Sequence, residues 1–485
     1  MRTIDDHRRD ITALLAGISG SLGTEALEVS GAAITADPAA YGPFGADTGR
    51  VLAADLMAPS SLPAFDNSQM DGYAVVAAEL APASAAHPVR LAVAARVAAG
   101  DPFSAHRAGT ATPVMTGAPI PAGADAVVQI ERADPPRFPA GGSAAGLPDD
   151  AEREGDDDTE RAADGDASHE TGGVSVAFVA PVEAGTFVRA AGSDVAEGEV
   201  LLPAGTTLGP AQYGVIAGTG ATSVTVRRRI RVLLISTGHE IRDPGTTLQP
   251  GQIFDANTVA LSSALIGAGC TVIARPCRSD DADDLLALIR AETGTGTGVD
   301  LIVTVGGVSA GAREVVRDAL GPRGVEFMKV AMQPGGPQGF GTIQLEGEPH
   351  PVPSGQSAGG QGAVGRSAAG PGAVGVPVVC LPGNPVSALV SFEAFLRPAL
   401  RAAAGVQHPL RETRTGRAAH AFDSPPTHHQ LRRGVVHPDG SIELIGGPSS
   451  HLLHSYAASN ALVHVPLGVS AVAAGDELDY WRIDG

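Results

Sequence analysis

Apolar positions in residues 3–30 recur at helical spacing through Ile4, Ile11, Leu14, Leu15 and Ile18, which predicts an amphipathic helix. A second short helix is expected over 49–56. Between 63 and 188 the pattern shortens to alternating or β-branched runs at 73–76, 89–97, 126–130, 174–181 and 186–190. Such runs, bounded by turn residues, describe a small β-domain. A helical run at 210–217 and a strand at 223–226 come next. After the arginines 227–229 the signal alternates: strands at 230–236, 271–274, 300–305, 325–330 and 376–381, helices at 257–268, 281–291, 313–320 and 386–404. Continuous apolar strands between amphipathic helices predict a parallel sheet covered by helices. Short strands at 434–436, 442–445, 461–466 and 477–481 predict a second β-domain.

Two segments interrupt this order. Residues 133–173 carry twelve acids against three arginines, and 346–375 hold nine glycines in thirty positions. The first is expected to be a disordered loop between strands, the second a flexible hairpin insert. At 485 residues the chain exceeds one core. A net charge of −20 argues against nucleic acid as partner, although the acidic segment supplies −9 of it. No apolar run approaches the roughly 20 residues that span a bilayer, and the charged N-terminus lacks a signal region, so no membrane association and a cytoplasmic location are expected. Cys270, Cys277 and Cys380 make neither a disulfide framework nor a zinc pattern.

Chemistry concentrates in 64–76, where Asp66, Asn67, Ser68 and Asp71 cluster without amphipathic period. Locally they read as a capped turn entering a strand, with Asp66 capping the turn that presents Asp71. The strand ends of the α/β region are equally polar: Ser236-Thr-Gly-His-Glu240, Gly306-Gly-Val-Ser-Ala-Gly311 and Pro382-Gly-Asn-Pro-Val-Ser387. Ligands bind at the carboxyl ends of parallel strands, and glycine-rich backbone opening a helix offers N–H groups to phosphate or another anion. Glu240 reads either as a site acid or as a solvated loop acid. Lys329 falls within an apolar strand, where an ammonium needs an anionic partner. The turns at Thr116-Gly117 and Gly192-Ser193-Asp194 are ordinary by themselves. Residues 293–298 follow a helix and read as a linker, His428 and His429 as exposed, and His451 with His454 as no zinc site.

Together these blocks resemble the molybdopterin molybdenumtransferase family, which includes the gephyrin E domain. The resemblance rests on Phe65-Asp-Asn-Ser-Gln-Met-Asp-Gly-Tyr-Ala-Val75, Met115-Thr-Gly-Ala-Pro119, Arg189-Ala-Ala-Gly-Ser-Asp194 and Gly251-Gln-Ile-Phe-Asp-Ala-Asn257. It continues through the strand-end loops above, Phe327-Met-Lys-Val-Ala-Met-Gln-Pro-Gly335 and Asn460-Ala-Leu462. It implies an α/β plus β multidomain fold. An elongated N-terminal α+β domain takes 1–58 and 191–228, and an inserted β-domain takes 59–190. A central parallel α/β domain of molybdopterin-binding type takes 229–405, and a C-terminal β-barrel-like domain takes 406–485. It further implies a homodimer and conversion of molybdate and adenylyl-molybdopterin into molybdenum cofactor and AMP, with Mg²⁺. A molybdopterin adenylyltransferase and molybdoenzymes are the implied partners.

By the same resemblance, Asp71, Asp194 and Glu240 are metal ligands or acid/base groups, with Glu314 and Lys329 also catalytic. Asp66, Asn67, Ser68, Thr116 and Gly117 contact substrate from the β-domain. Gly306, Gly307, Ser309 and Gly311 form the phosphate loop, flanked by Pro334 and by Pro382, Gly383, Asn384, Pro385 and Ser387. Arg433 and Ser450 help hold molybdate. Five positions depart from the family pattern: Gln69 replaces a usual Ala, Ala312 and Glu314 stand in place of an acid pair, and Gln333 and Gly336 stand where lysines are usual. The two missing lysines leave an anion clamp short of two positive charges, which Arg313 could offset. Open alternatives are a gephyrin-like scaffold, a molybdopterin adenylyltransferase, and a tungstate-handling variant. The second is disfavoured by Val308-Ser309 and by the flanking β-domains.

Overall fold

A computed structural model describes residues 2–30, 49–138, 174–294, 298–309, 314–344 and 375–484. The chain divides into two compact units: Met1–Leu56 with Leu202–Gly214 and Thr222–Gly485, and Met57–Leu201 with Val215–Ala221.

The larger unit is built on a six-stranded sheet. Its strands run in the order Thr271–Ala274, Arg231–Ser236, Leu301–Val305, Val376–Leu381, Pro337–Ile343 and Val325–Lys329. The first four are parallel, as their unbroken apolar runs require. The last two pair antiparallel, so the sheet is mixed where a wholly parallel one was expected. The unanticipated strand is Pro337–Ile343. Its Gly341 packs so closely that a Cβ there would lie 2.2 Å from the Gly324 carbonyl oxygen.

The N-terminal helix Ile4–Ser21 begins at a Thr3–Asp6 capping box and buries Ile4, Ile11, Leu15 and Ile18. It packs on the long helical segment that starts at Pro385, in a core with Phe392, Phe395 and Leu400. That segment was expected to be one helix over 386–404. It is α-helical at Pro385–Ser391 and Arg397–Ala403, with a wider π turn at Phe392–Leu396 between them.

Residues 49–56 are extended, not helical. Val51 and Leu52 bridge to Thr207 and Val226, and Leu56–Met57 pairs with Val200–Leu202. The C-terminal strands Thr413–Ala418, His429–Val436, Ser441–Leu444, Ala461–Val465 and Glu477–Arg482 close on themselves as a five-stranded barrel. His429, expected exposed, is half-buried, with His464 between it and Trp481.

The smaller unit holds a second six-stranded sheet, with Gly72–Val75 between Ala126–Gln129 and Thr110–Val114. Tyr73, Val75, Leu91 and Phe178 form its core. The acidic segment was expected to be disordered from 133, yet Ala133–Asp134 pairs with Ser175–Phe178 and Tyr73 Oη donates to the Arg137 carbonyl at 2.9 Å. The remainder of that segment, and almost all of 346–375, lie outside the described residues.

Candidate functional site

The carboxyl ends of three neighbouring parallel strands open into one cleft of ≈ 710 Å³ in the larger unit. Strand Arg231–Ser236 delivers Thr237 and Glu240 to its wall, Leu301–Val305 delivers Gly306 through Ser309, and Val376–Leu381 delivers Pro382 through Pro385. Ser387, Glu314, Pro334 and Ser450 also line it. Position at the strand ends is therefore what assembles these groups, as the sheet's topology requires.

Local packing explains the residue types. Gly306 and Gly307 have φ of +99° and +61°. A Cβ on Gly306 would come within 2.8 Å of Thr237 Oγ1, and one on Gly307 within 3.1 Å of the Val316 backbone nitrogen. Only glycine meets both demands. Asn257 Nδ2 donates to the Gly383 carbonyl at 2.7 Å, which anchors the Pro382–Pro385 turn to the helix Ala256–Gly267. Asn384 precedes the helix Pro385–Ser391 without capping it; its Nδ2 donates instead to Ser450 Oγ at 2.8 Å.

Asp255 was not singled out from sequence. It is buried, caps the helix Ala256–Gly267, and accepts from Ser236 Oγ at 2.5 Å and Thr258 Oγ1 at 2.7 Å. The signal for it was an N-cap aspartate before an apolar helix. Thr237 and Asn257, which lie in quoted stretches without being named as site residues, and Ser449, which lies in none, also line the cleft.

Glu240, Asp255 and Glu314 put three carboxylates on the wall, and among the described residues no Arg or Lys lines it. Lys329 is not buried in its strand, as the apolar context suggested, but solvent-exposed at the end of the edge strand Val325–Lys329. Hydration there replaces the anionic partner that burial would demand. Arg433 is buried one layer behind the wall and donates to the carbonyl of Gly447, in the loop that carries Ser450. Burial lowers its guanidinium from the ordinary value. Gly311, Ala312 and Arg313 lie outside the described residues.

The smaller unit gathers its own set. Asp71 Oδ1 accepts from the Thr116 amide at 2.7 Å and from Thr116 Oγ1 at 2.9 Å. The Gly117 amide donates to the Ser68 carbonyl at 2.8 Å, with Gly117 at φ +80°. Asn67–Ser68 pairs with Val188–Arg189, and Arg189 donates to Asn67 Oδ1 at 3.3 Å. Asp66 does not cap its own turn; it accepts from the Ala191 amide at 2.7 Å and so ties the turn to the segment leading to Asp194. Asp71 and Asp194 are exposed. Among the described residues no three His, Cys, Asp or Glu side chains converge as a ready-made metal cage.

Family models match along the chain in order: the MoeA N-terminal region (domains I and II) at 24–220, a probable molybdopterin binding domain at 233–402, and the MoeA C-terminal region (domain IV) at 415–483. Molybdopterin molybdenumtransferase 2 of Mycobacterium tuberculosis is 39% identical over 451 residues, covering 90% of this chain and 93% of that protein. The molybdopterin molybdenumtransferase of Synechococcus elongatus is 32% identical, covering 89% and 91%. The crystal structure of a molybdopterin biosynthesis MoeA protein from Pyrococcus horikoshii superposes with a TM-score of 0.65 at 26% identity, over 98% of this chain and 99% of that one. With a relative this similar along nearly its whole length, the chain belongs to the molybdopterin molybdenumtransferase family.

Proposed function

We propose that the chain inserts molybdenum during molybdenum-cofactor biosynthesis, using molybdate and adenylyl-molybdopterin and releasing AMP. The observation that carries this reading is the strand-end cleft, which the Gly306–Gly307 backbone, the Pro382–Pro385 turn, Glu240 and Glu314 line together. Backbone amides of Gly307, Val308 and Ser309 suit the phosphate oxygens of the nucleotide-bearing substrate. The Asn384–Ser450 pair presents a fixed hydroxyl to an oxyanion, and Arg433 holds the loop that carries Ser450.

The donor set fits Mg²⁺. That ion keeps several waters and takes one or two carboxylates with substrate phosphates, so it needs no closed cage, and Glu240 and Glu314 in the cleft lining are the carboxylates that would hold it. When bound it would neutralise phosphate charge as the anhydride opens. Glu240 is the acid we assign to it here, with Asp71 and Asp194 as the further candidates.

These last two belong to the smaller unit. We assign the assembly as a homodimer in which the smaller unit of one subunit closes the cleft of the other, a reading supported by the resemblance. Thr116 fixes one oxygen of the exposed Asp71 carboxylate, and the other is the one we assign to metal or proton transfer. Lys329, exposed in one chain, is the cation we assign to an anionic oxygen once the cleft is covered. A molybdopterin adenylyltransferase would supply the substrate and molybdoenzymes would accept the product. No helix among the described residues is long and apolar enough to cross a membrane.

Purified protein given adenylyl-molybdopterin, molybdate and Mg²⁺ is expected to release AMP in step with molybdate consumed. Folded protein that binds the substrate and releases no AMP would defeat the proposal in favour of a scaffold role.

A further inference from the structure

One group on the cleft wall can neither bind phosphate nor hold a metal. Among the described residues Phe254 is the one aromatic side chain that lines the cleft. It is 46% exposed, although a phenyl ring gains from leaving water. A single exposed apolar group means little by itself on a protein surface. The backbone around this one sets it apart. Phe254 belongs to the two-residue strand Ile253–Phe254, which pairs parallel with Ile241–Arg242. Both flanks are pinned: the Ile253 amide donates to the Glu240 carbonyl at 3.0 Å, and the Asp255 amide donates to the Arg242 carbonyl at 2.8 Å. The buried Asp255 carboxylate is held in turn by the Ser236 and Thr258 hydroxyls.

A fixed ribbon thus carries an apolar ring in the same cleft as Glu240, where the rest of the lining is glycine, proline, aliphatic and polar. The ring has a flat face to offer and no hydrogen bond to make. Such a face suits another flat ring, stacked or edge-on, and does nothing for a phosphate or a sugar hydroxyl. Space permits both kinds of contact at once. The cleft measures ≈ 710 Å³, within the about 300–1,000 Å³ usual for small-molecule sites, so a ring and a phosphate fit together.

We propose that Phe254 is the platform on which a flat heteroaromatic ring of the substrate stacks while its phosphates lie on the Gly307–Ser309 amides. The inference rests on the reading of the cleft as the site for adenylyl-molybdopterin, which carries two such rings, a pterin and an adenine. Phe254 then makes the cleft select a ring-bearing phosphate over a bare one, and the carboxylates and glycine loop deal with charge alone.

Calorimetry of the full chain in Mg²⁺ with three probes tests it: AMP, ribose 5-phosphate and neopterin. Phe254→Leu keeps an apolar side chain and removes the aromatic face. It should weaken AMP or neopterin by about tenfold, the gain from stacking one base, and leave ribose 5-phosphate unchanged. A loss confined to AMP assigns the platform to adenine, and one confined to neopterin assigns it to the pterin. Phe254→Trp should keep the affinity, and its emission should fall as the ring ligand binds. Trp481 is 8% exposed and sits in the barrel strand Glu477–Arg482, so its own emission should stay constant. Unchanged affinity for both ring ligands in Phe254→Leu, or an equal loss for ribose 5-phosphate, would overturn the platform and spare the function of the cleft. A Phe254→Leu dimer that dissociates while ligand affinity holds would overturn it too, by giving the ring to a subunit contact. Wild type that binds neither AMP nor neopterin would defeat the platform together with the reading it rests on.

Discussion

Asn384 turns its side-chain amide away from the helix it precedes and donates to Ser450 Oγ at 2.8 Å. The bond spans the chain from the α/β sheet to the C-terminal barrel and fixes a hydroxyl at the cleft wall. Asn384→Ala is therefore expected to leave the fold nearly as stable, costing about 1 kcal/mol for one exposed hydrogen bond. AMP release should fall at least tenfold, chiefly through a higher KM for molybdate. Ser450→Ala should share the KM effect, and the double variant should be no worse than either single one if the pair acts as a unit.

Asp71 is exposed and held by two hydrogen bonds from Thr116. Asp71→Asn preserves shape and one acceptor oxygen while removing the charge. Activity is expected to drop by about 10²–10⁴-fold, the range for a positioned acid or base. Circular dichroism and urea midpoint should stay at wild-type values; a coincident loss of folding would mark Asp71 as structural.

Gly306→Ala tests the phosphate loop. The residue sits at φ +99°, and the added methyl would meet Thr237 Oγ1 at 2.8 Å and the Thr237 carbonyl oxygen at 2.9 Å. Strain of this kind costs about 1–3 kcal/mol. Urea unfolding should register that loss, together with weaker binding of AMP measured by calorimetry.

What the sequence disclosed divides along a physical line. Four parallel strands were legible because each is a continuous apolar run, and the cleft loops were legible because glycine and polar residues follow those runs directly. The strand Pro337–Ile343 was hidden, since its Gly339 and Gly341 read as turn residues although crowding demands them: a Cβ on Gly339 would meet Phe327 at 2.8 Å. Residues 49–56 read as helical on local spacing, while pairing with Thr207 and Val226 decided otherwise. Asp255 escaped notice because an N-cap and a cleft acid look alike in one dimension. Lys329 was misjudged for a related reason: an apolar strand at a sheet edge still exposes one face.

Lys329 is the single lysine of the chain, which makes it experimentally accessible. Being exposed, it should tolerate Lys329→Met with a stability change within about 0.5 kcal/mol. If it meets an anionic substrate oxygen in the covered cleft, the variant should lose activity at least tenfold. Acylation of the ε-amine, followed by mass spectrometry, should be slowed by saturating substrate; unchanged labelling would place the lysine outside the working site.

Two histidines give the fold a pH dependence whose sign follows from their burial. His7 is 1% exposed and lies edge-on to Phe340 and Phe395, with ring centroids 5.5 and 4.6 Å away. Burial, then Arg2, pushes its pKa down to about 3; burial, then His429 and Arg8, pushes His464 down to about 3 as well. Both rings are neutral in the folded protein. Once unfolded they titrate near 6.5, so below that pH the unfolded chain binds protons that the folded one refuses. Stability is fully present above about pH 6.5 and declines toward pH 3, by roughly 1.4 kcal/mol per pH unit for each ring. Urea unfolding between pH 7 and 4 should show this slope. His7→Phe should flatten it, because a ring that cannot protonate keeps its place between the two phenylalanines at every pH.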